Sequence, residues 1–477
     1  MTIDVLPDNA LLDIFDLYRD DRTTWIISFL PSPWRWQTLT QVCRRWRYIV
    51  LGSPRRLDLR IVCTNTTPTR TSLDIWPPFP IAITNGYGYS RLGESKKDSE
   101  NLIAAIEHRD RISEIHINDP DISECVLENL VSVMQEPFPA LRHFYYDAVV
   151  AAPDLPETFL GGSAPCLRSF WLSKTIFPSF PKFILSATHI TDIYLDGIPH
   201  SGYILPSVMA TCVAALPNLE VLFIAFEYRL FDLPQTSPPP LTRAVLPALT
   251  SLRFKGNSEY FEDFLARIDA PLLNRLGIRF ITDILIPSPR PHNFIDRTGS
   301  LGPFNHATMK LSMSIPCFYM ALRSPTLFKL NIECGRYYWP RRPSITEVFS
   351  LHLPLLPQVE LLQITGDPSE DTHMNSDWLE LFQLFTAVQS LYVSENLVHF
   401  VAAALQELPG GLAVEVLPAL RILSLEGLQP SGPVQDGIGL FVAARQLSDC
   451  PVAIQGWDRI TDAKNDISSV TEHAGVW

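Results

Sequence analysis

Near the N-terminus, apolar residues recur with the period of a helix. Leu11, Ile14, Phe15 and Tyr18 fall at i, i+3, i+4 and i+7, one stripe on one face. Pro7 precedes them, in a helical first turn where its missing N–H costs nothing. A second stripe, Leu39, Val42, Cys43, Trp46, Ile49 and Val50, continues the same spacing. Arg44, Arg45 and Arg47 lie off it, and Gly52 and Pro54 end it. Residues 4–54 therefore read as two amphipathic helices. A domain of this size is thin, so its stripe needs cover from the rest of the chain or from a partner. Periodicity alone leaves both open.

Beyond residue 60 the pattern changes to a short recurring strand: Pro, one residue, Leu, two residues, Leu. It occurs at Pro139-Ala140-Leu141, Pro165-Cys166-Leu167, Pro217-Asn218-Leu219, Pro247-Ala248-Leu249, Pro325-Thr326-Leu327 and Pro418-Ala419-Leu420. Variants start at Ile112, Ile190, Leu273, Val359 and Val388. Successive starts are mostly 23 to 32 residues apart, and the gap of 54 from 273 to 327 predicts one degenerate unit around Met309–Met313. Segments between strands, such as Glu259–Ile268, read as helices. Leucine-rich repeats run about 20–29 residues with an LxxLxL strand, so these units match that type, slightly long. A strand–helix unit cannot bury its apolar side alone, and stacking units gives one continuous core. A doubly wound α/β domain also alternates strand and helix. It calls for continuously apolar strands, whereas these alternate leucines with polar residues.

The expected fold class is α/β. A small all-α domain (1–54) precedes a linker with the first irregular repeats (55–110). A curved solenoid, or horseshoe, with a parallel concave sheet follows (111–455), then a polar tail (456–477).

Composition refines this picture. Hydrophobic residues make up 46% and charged residues 19%, below the usual ~25%, so much of the chain is expected to face protein. Most of the 41 prolines are scattered singly before apolar runs rather than clustered as in a linker, and Pro234–Pro240 reads as a short polyproline-like excursion between repeats. A net charge of −13 argues against nucleic acid, which needs a basic surface. No basic-plus-apolar signal precedes Leu6, and Pro199, Pro206 and Pro217 interrupt the longest suggestive uncharged stretch, Gly197–Leu219. Neither secretion nor a membrane span is therefore expected. Eight cysteines without a CxxC pair suggest reduced, buried thiols.

Leu6-Pro7, Ile14-Phe15, Val42-Cys43-Arg44-Arg45-Trp46-Arg47 and Ser53-Pro54 together resemble the F-box pattern. Their order and type are similar to the F-box/leucine-rich-repeat proteins expanded in mushroom-forming fungi. Inter-repeat segments such as Phe159–Pro165 and Glu426–Val434 also resemble that family. The resemblance implies a three-helix motif docked on a Skp-type adaptor, which tethers it to a cullin–RING ubiquitin ligase in the cytoplasm or nucleus. Leu6, Pro7, Leu11, Ile14, Phe15, Leu39, Val42, Cys43, Trp46 and Ile49 would form or support that interface. The spacing from Phe15 to Leu39 is longer than in the compact motif, which leaves the middle helix unplaced. The competing expectation is a non-catalytic repeat scaffold whose N-terminal helices pack internally.

In an LxxLxL strand the residue between the leucines points away from the core. Those positions are His116, Tyr145, Trp171, Tyr194, Phe223, Arg253, Gly277, Asn331, Gln363, Tyr392 and Ser424, with Lys255 and Arg279 close by. Trp, Tyr and Arg dominate protein-binding hot spots. Tyr145, Trp171, Tyr194, Phe223, Arg253, Lys255 and Arg279 are thus the expected client surface, for an acidic and partly apolar segment. A loop or the tail covering the rings is the bland alternative. His108-Arg109-Asp110 lacks the asparagine of a kinase catalytic loop, because position 115 is Ile. No phosphate loop, nucleophile elbow, zinc motif or metal-ligand spacing occurs. Neither enzyme activity, nor a cofactor, nor a metal is expected.

Overall fold

The computed structural model describes residues 6–19, 35–53, 59–63, 69–76, 78–85, 96–119, 130–148, 154–227, 242–281, 290–301, 304–312, 317–323, 326–333, 356–367, 375–406, 408, 412–427 and 433–457. The insert that sets the motif spacing, the proline-rich stretch 234–240 and the tail beyond 457 lie outside them. The chain divides into two units: Met1–Ile204 with Ala215–Leu219, and Leu205–Ala214 with Glu220–Trp477.

The first unit begins with three helices, α1 (Asp8–Arg19), α2 (Arg35–Val42) and α3 (Arg44–Leu51). A sheet follows: β1 (Leu59–Val62), β2 (Ile81–Thr84), β3 (Ile112–Asp119), β4 (His143–Ala148), β5 (Ser169–Ser173) and β6 (Asp192–Ile198). Its strands are parallel and in sequence order. Helices α4 (Thr69–Ile75), α5 (Lys96–Ile106) and α6 (Phe180–Ile184) lie between strands. The sheet thus begins within the segment 55–110, read as a linker with the first irregular repeats.

The second unit holds α7 (Pro206–Ala214), β7 (Val221–Phe226), β8 (Ala244–Val245), β9 (Ser251–Gly256), α8 (Ser258–Arg267), β10 (Ile268–Asp269), β11 (Arg275–Ile281) and α9 (Arg290–Arg297). Next come β12 (His306–Ser312), β13 (Cys317–Arg323), β14 (Leu327–Glu333), β15 (Leu361–Asp367), α10 (Asn375–Gln383), β16 (Ser390–Val393) and α11 (Glu395–Gln406). The unit ends with α12 (Leu412–Glu415), β17 (Ile422–Glu426), α13 (Pro433–Leu447) and β18 (Ala453–Trp457). Its sheet order is β7-β9-β11-β14-β13-β12-β15-β16-β17-β18, and β8 pairs separately with β10.

The expectation of an all-parallel sheet needs one correction. β13 runs antiparallel to both β12 and β14, and these three strands sit in reversed order between β11 and β15. The gap from 273 to 327 therefore holds no simple repeat. The short connections after β12 and β13 permit only hairpin reversals, because a parallel crossover needs a dozen or more residues.

The prolines of the X-Pro-x-Leu signals have a visible job in this scaffold. In Phe138-Pro139-Ala140-Leu141, Leu141 N–H donates to the Phe138 carbonyl at 3.2 Å; Leu167 with Ala164 (3.1 Å), Leu219 with Leu216 (3.2 Å), Leu273 with Ala270 (3.2 Å) and Leu420 with Leu417 (3.0 Å) repeat the geometry. This is a β-turn with proline at its second position, where φ is already set. Both ends of each turn are buried. The next residue then joins its counterpart in the preceding unit: Arg168 N–H donates to Arg142 O at 2.7 Å, Thr250 to Glu220 O at 2.9 Å and Arg421 to Gln389 O at 2.8 Å. Turn and stack are thus one continuous device. It also corrects the reading of all cysteines as buried. Cys166 occupies the outward third position of such a turn and is exposed, whereas Cys63 and Cys212 are buried. Burial pushes the Cys63 thiol up to about 12, so it stays protonated.

Strand residues alternate. Phe144, Phe170, Ile193, Leu252, Phe254, Leu276 and Ile278 are buried on one sheet face, while their neighbours in sequence are mostly half-exposed on the other. In the second unit the buried Arg445 of α13 ties elements together without a carboxylate. Its guanidinium donates to the carbonyls of Cys450 (3.2 Å), Ala413 (3.4 Å), Leu417 (3.4 Å), Pro418 (3.2 Å) and Leu420 (3.0 Å).

Urea denaturation checks two consequences. Leu219→Ala costs about 2–5 kcal/mol through lost burial and a cavity, whereas Pro217→Ala costs only about 0.4–1 kcal/mol, by loosening the unfolded chain. Arg445→Met leaves buried carbonyls without a donor and costs more than about 3 kcal/mol. A loss below 1 kcal/mol there would contradict the clamp.

Candidate functional site

The three N-terminal helices enclose a small core of Leu11, Phe15, Ile49 and Val50, with Leu6, Leu12, Leu39 and Trp46 packed against it. The Cys-Arg-Arg-Trp-Arg run assembles it. The second apolar stripe is not one helix, because Cys43 is extended (φ −158, ψ 170) and separates α2 from α3. Its thiol caps α3 by accepting from Trp46 N–H at 3.4 Å. Arg45 reaches the start of α1, pairing with Asp8 at 2.6 Å. The Trp46 ring lies 4.7 Å from that of Phe15, and Arg47 donates to the Thr40 carbonyl of α2 at 2.9 Å.

This geometry sorts the residues expected at an adaptor interface. Leu11, Phe15 and Ile49 are buried and hold the module from inside. Leu6, Leu39, Cys43 and Trp46 are half-buried, and Pro7, Ile14 and Val42 are exposed. The exposed set also contains side chains that the stripe did not single out. Ile14 is 40% exposed, Leu17 76%, Val42 57%, Tyr48 79% and Leu51 42%. These are five of the twelve large exposed hydrophobics among the described residues, though the three helices contribute only 28 residues. Their concentration is the signal that helical periodicity missed.

On the open sheet face of the first unit, His116, Tyr145, Trp171 and Tyr194 occupy one register row. The rings touch in sequence, with centroids 4.0, 5.0 and 4.5 Å apart. Glu114 and Asp192 lie on the row to one side, Asp147 and Asp196 on the row to the other. Arg60 pairs with Glu114 at 2.9 Å. Burial, with Asp147 and Asp196 nearby, raises the Tyr145 phenol. Burial, aided by the Arg60 charge, lowers His116 to about 4. The ladder is therefore flanked by carboxylates.

The remaining expected residues fall in the second unit. Phe223, Arg253 and Gly277 share one row, Lys255 and Arg279 the next. The combined aromatic-and-basic surface thus divides between the units: Tyr145, Trp171 and Tyr194 lie with carboxylates in the first, Phe223 with Arg253, Lys255 and Arg279 in the second. Gln363 and Tyr392 continue the Gly277 row half-exposed, whereas Ser424 on the same row is buried. Among the described residues no group of three or more His, Cys, Asp or Glu could hold a metal ion. No helix among them is long and apolar enough to cross a membrane.

No family model matches the chain, and no curated protein matches it. Among solved structures it is similar to the leucine-rich-repeat-containing protein LegL7 from Legionella pneumophila. Sequence identity is 12%, the TM-score is 0.28, and the match covers 83% of this chain and 99% of that one.

His116 supplies a pH test. Its folded value lies below the ordinary 6.5, so unfolding takes up a proton and stability falls as pH drops from about 6.5 towards 4. Urea midpoints at pH 7 and 5 should fall less for His116→Gln than for the parent chain. An equal fall in both would contradict the assignment.

Proposed function

We propose that this chain is the substrate-recognition subunit of an SCF-type cullin–RING ubiquitin ligase. Helices α1–α3 are the F-box that docks on a Skp-type adaptor, and the open sheet faces hold a client protein. The observation carrying this reading is the exposed apolar set Ile14, Leu17, Val42, Tyr48 and Leu51 on a module whose core draws on its own residues. A concentration of large exposed hydrophobics on a small helical module is what a partner interface leaves when the partner is absent. The ring ladder gives the client face rigid amphipathic side chains of the kind that dominate hot spots.

No chemistry is assigned to the chain itself. It holds the client beside the transferred ubiquitin, so a bimolecular encounter becomes effectively intramolecular.

Co-purification with a recombinant Skp-type adaptor tests the reading. Ile14→Asp and Val42→Asp place charges on exposed positions and should abolish the complex while leaving the melting temperature within about 2 °C. Leu11→Ala should lower stability by about 2–5 kcal/mol because that side chain is internal. Unimpaired capture by both aspartate variants would sink the ligase assignment in favour of a scaffold.

A further inference from the structure

The sheet of the second unit ends on an open edge. Among the described residues β18 has one sheet neighbour, β17, to which it runs parallel from Ala453 to Trp457. Ala453 N–H donates towards β17, to Arg421 O at 2.8 Å. Main-chain groups of successive strand residues point to opposite edges, so those of Ile454 and Gly456 point outward, away from β17. The apolar layer stops at the same strand. Leu362, Leu391, Leu423 and Ile454 share one register row. The three leucines are fully buried, whereas Ile454 is 41% exposed. A repeat array covers each unit with the next, and its end units need a polar outer face. This one ends on isoleucine.

Charge, proline or a bulge usually protects such an edge from pairing. Residues 453–457 contain no charged residue and no proline, and their register with β17 has no shift. By contrast β1, which likewise has one neighbour, carries Arg60. The edge of β18 also complements itself. Outward main-chain groups can bond only to outward ones. A two-fold axis beside Gln455 meets that condition, setting Ile454 opposite Gly456 of a second copy and Gln455 opposite itself. Both Ile–Gly pairs then exchange N–H···O bonds. The Gln455 pair between them is of the non-hydrogen-bonded kind, with Cα atoms about 4.5 Å apart. Residues two apart share a face, so Ile454 continues its apolar row across the axis against a glycine, which leaves it room. On the other face the exposed Gln455 side chains are neutral amides able to bond to each other. A client strand could use the same main-chain groups, but these matched pairs belong to a second copy. Each copy carries −13, and repulsion between charges away from the strand is screened beyond about 8–10 Å.

We propose that this chain forms a two-fold dimer in which β18 pairs antiparallel with β18 of a second copy, joining two sheets edge to edge at Gln455. The dimer goes beyond the proposed function and does not rest on adaptor docking. It presents two client faces, so a client with two recognised segments is held more tightly than by either face alone.

Sedimentation velocity of the full chain tests the pairing. An interface this small lies at the weak end of specific contacts, so loading runs to about 100 µM. The parent should pass from monomer to dimer and no further, with dimer favoured as salt rises because screening reduces the mutual repulsion. Gln455→Lys sets two ammonium groups against each other at the axis. It should stay monomeric, with its melting temperature within about 2 °C of the parent. Gln455→Cys should form a disulfide-linked dimer under mild oxidant, since the expected Cα separation suits that bond. The parent and Leu447→Cys, at a position 90% exposed but off the strand, should not. Val42→Asp should dimerise as the parent does, which separates this inference from adaptor docking. Four results would each overturn the pairing: a parent that stays monomeric because another segment covers the edge, assembly beyond a dimer, unaltered association of Gln455→Lys, or cross-linking of Gln455→Cys no faster than that of Leu447→Cys.

Discussion

Everything in the repeat region depends on burying one face of a sheet that no single unit can cover alone. The X-Pro-x-Leu turn meets that constraint locally. Its two ends are buried, its proline fixes the backbone direction, and the following N–H bonds to the preceding unit. Each unit thus enters the sheet at the same height as its neighbour. Rows of equivalent residues then line up across strands, and that alignment gives the open face any function it has.

Alignment has two chemical outcomes. In the first unit it stacks His116, Tyr145, Trp171 and Tyr194 into touching rings between rows of carboxylates. In the second it sets Phe223 beside Arg253 on one row, with Lys255 and Arg279 on the next. Neither arrangement needs an unusual backbone. The N-terminal module works the other way: its pattern residues divide, with Leu11, Phe15, Ile49 and Trp46 holding three short helices together, while Ile14 and Val42 stay exposed with Leu17, Tyr48 and Leu51.

Much of this was legible in the chain. All eleven strand starts read from the leucine spacing lead into strands, nine of them two residues after the signal and those at Ile112 and Leu327 at the signal itself. The reversal of β12–β14 was not legible, since spacing carries no direction. The break at Cys43 escaped because the apolar stripe runs through it in register, and a thiol is an uncommon cap. The acids beside the ring ladder were missed because only the middle row of each strand was read. Arg445 gave no sign in the sequence, its partners being backbone carbonyls up to 32 residues away.

The central claim is that α1–α3 present their exposed apolar side chains to a second polypeptide. Hydrogen–deuterium exchange of the full chain, with and without a purified Skp-type adaptor, tests it most directly. The account predicts slowed exchange confined to residues 8–51, with the repeats unchanged. Exchange in that segment that is identical in the two samples, or protection found only in the repeats, would contradict it.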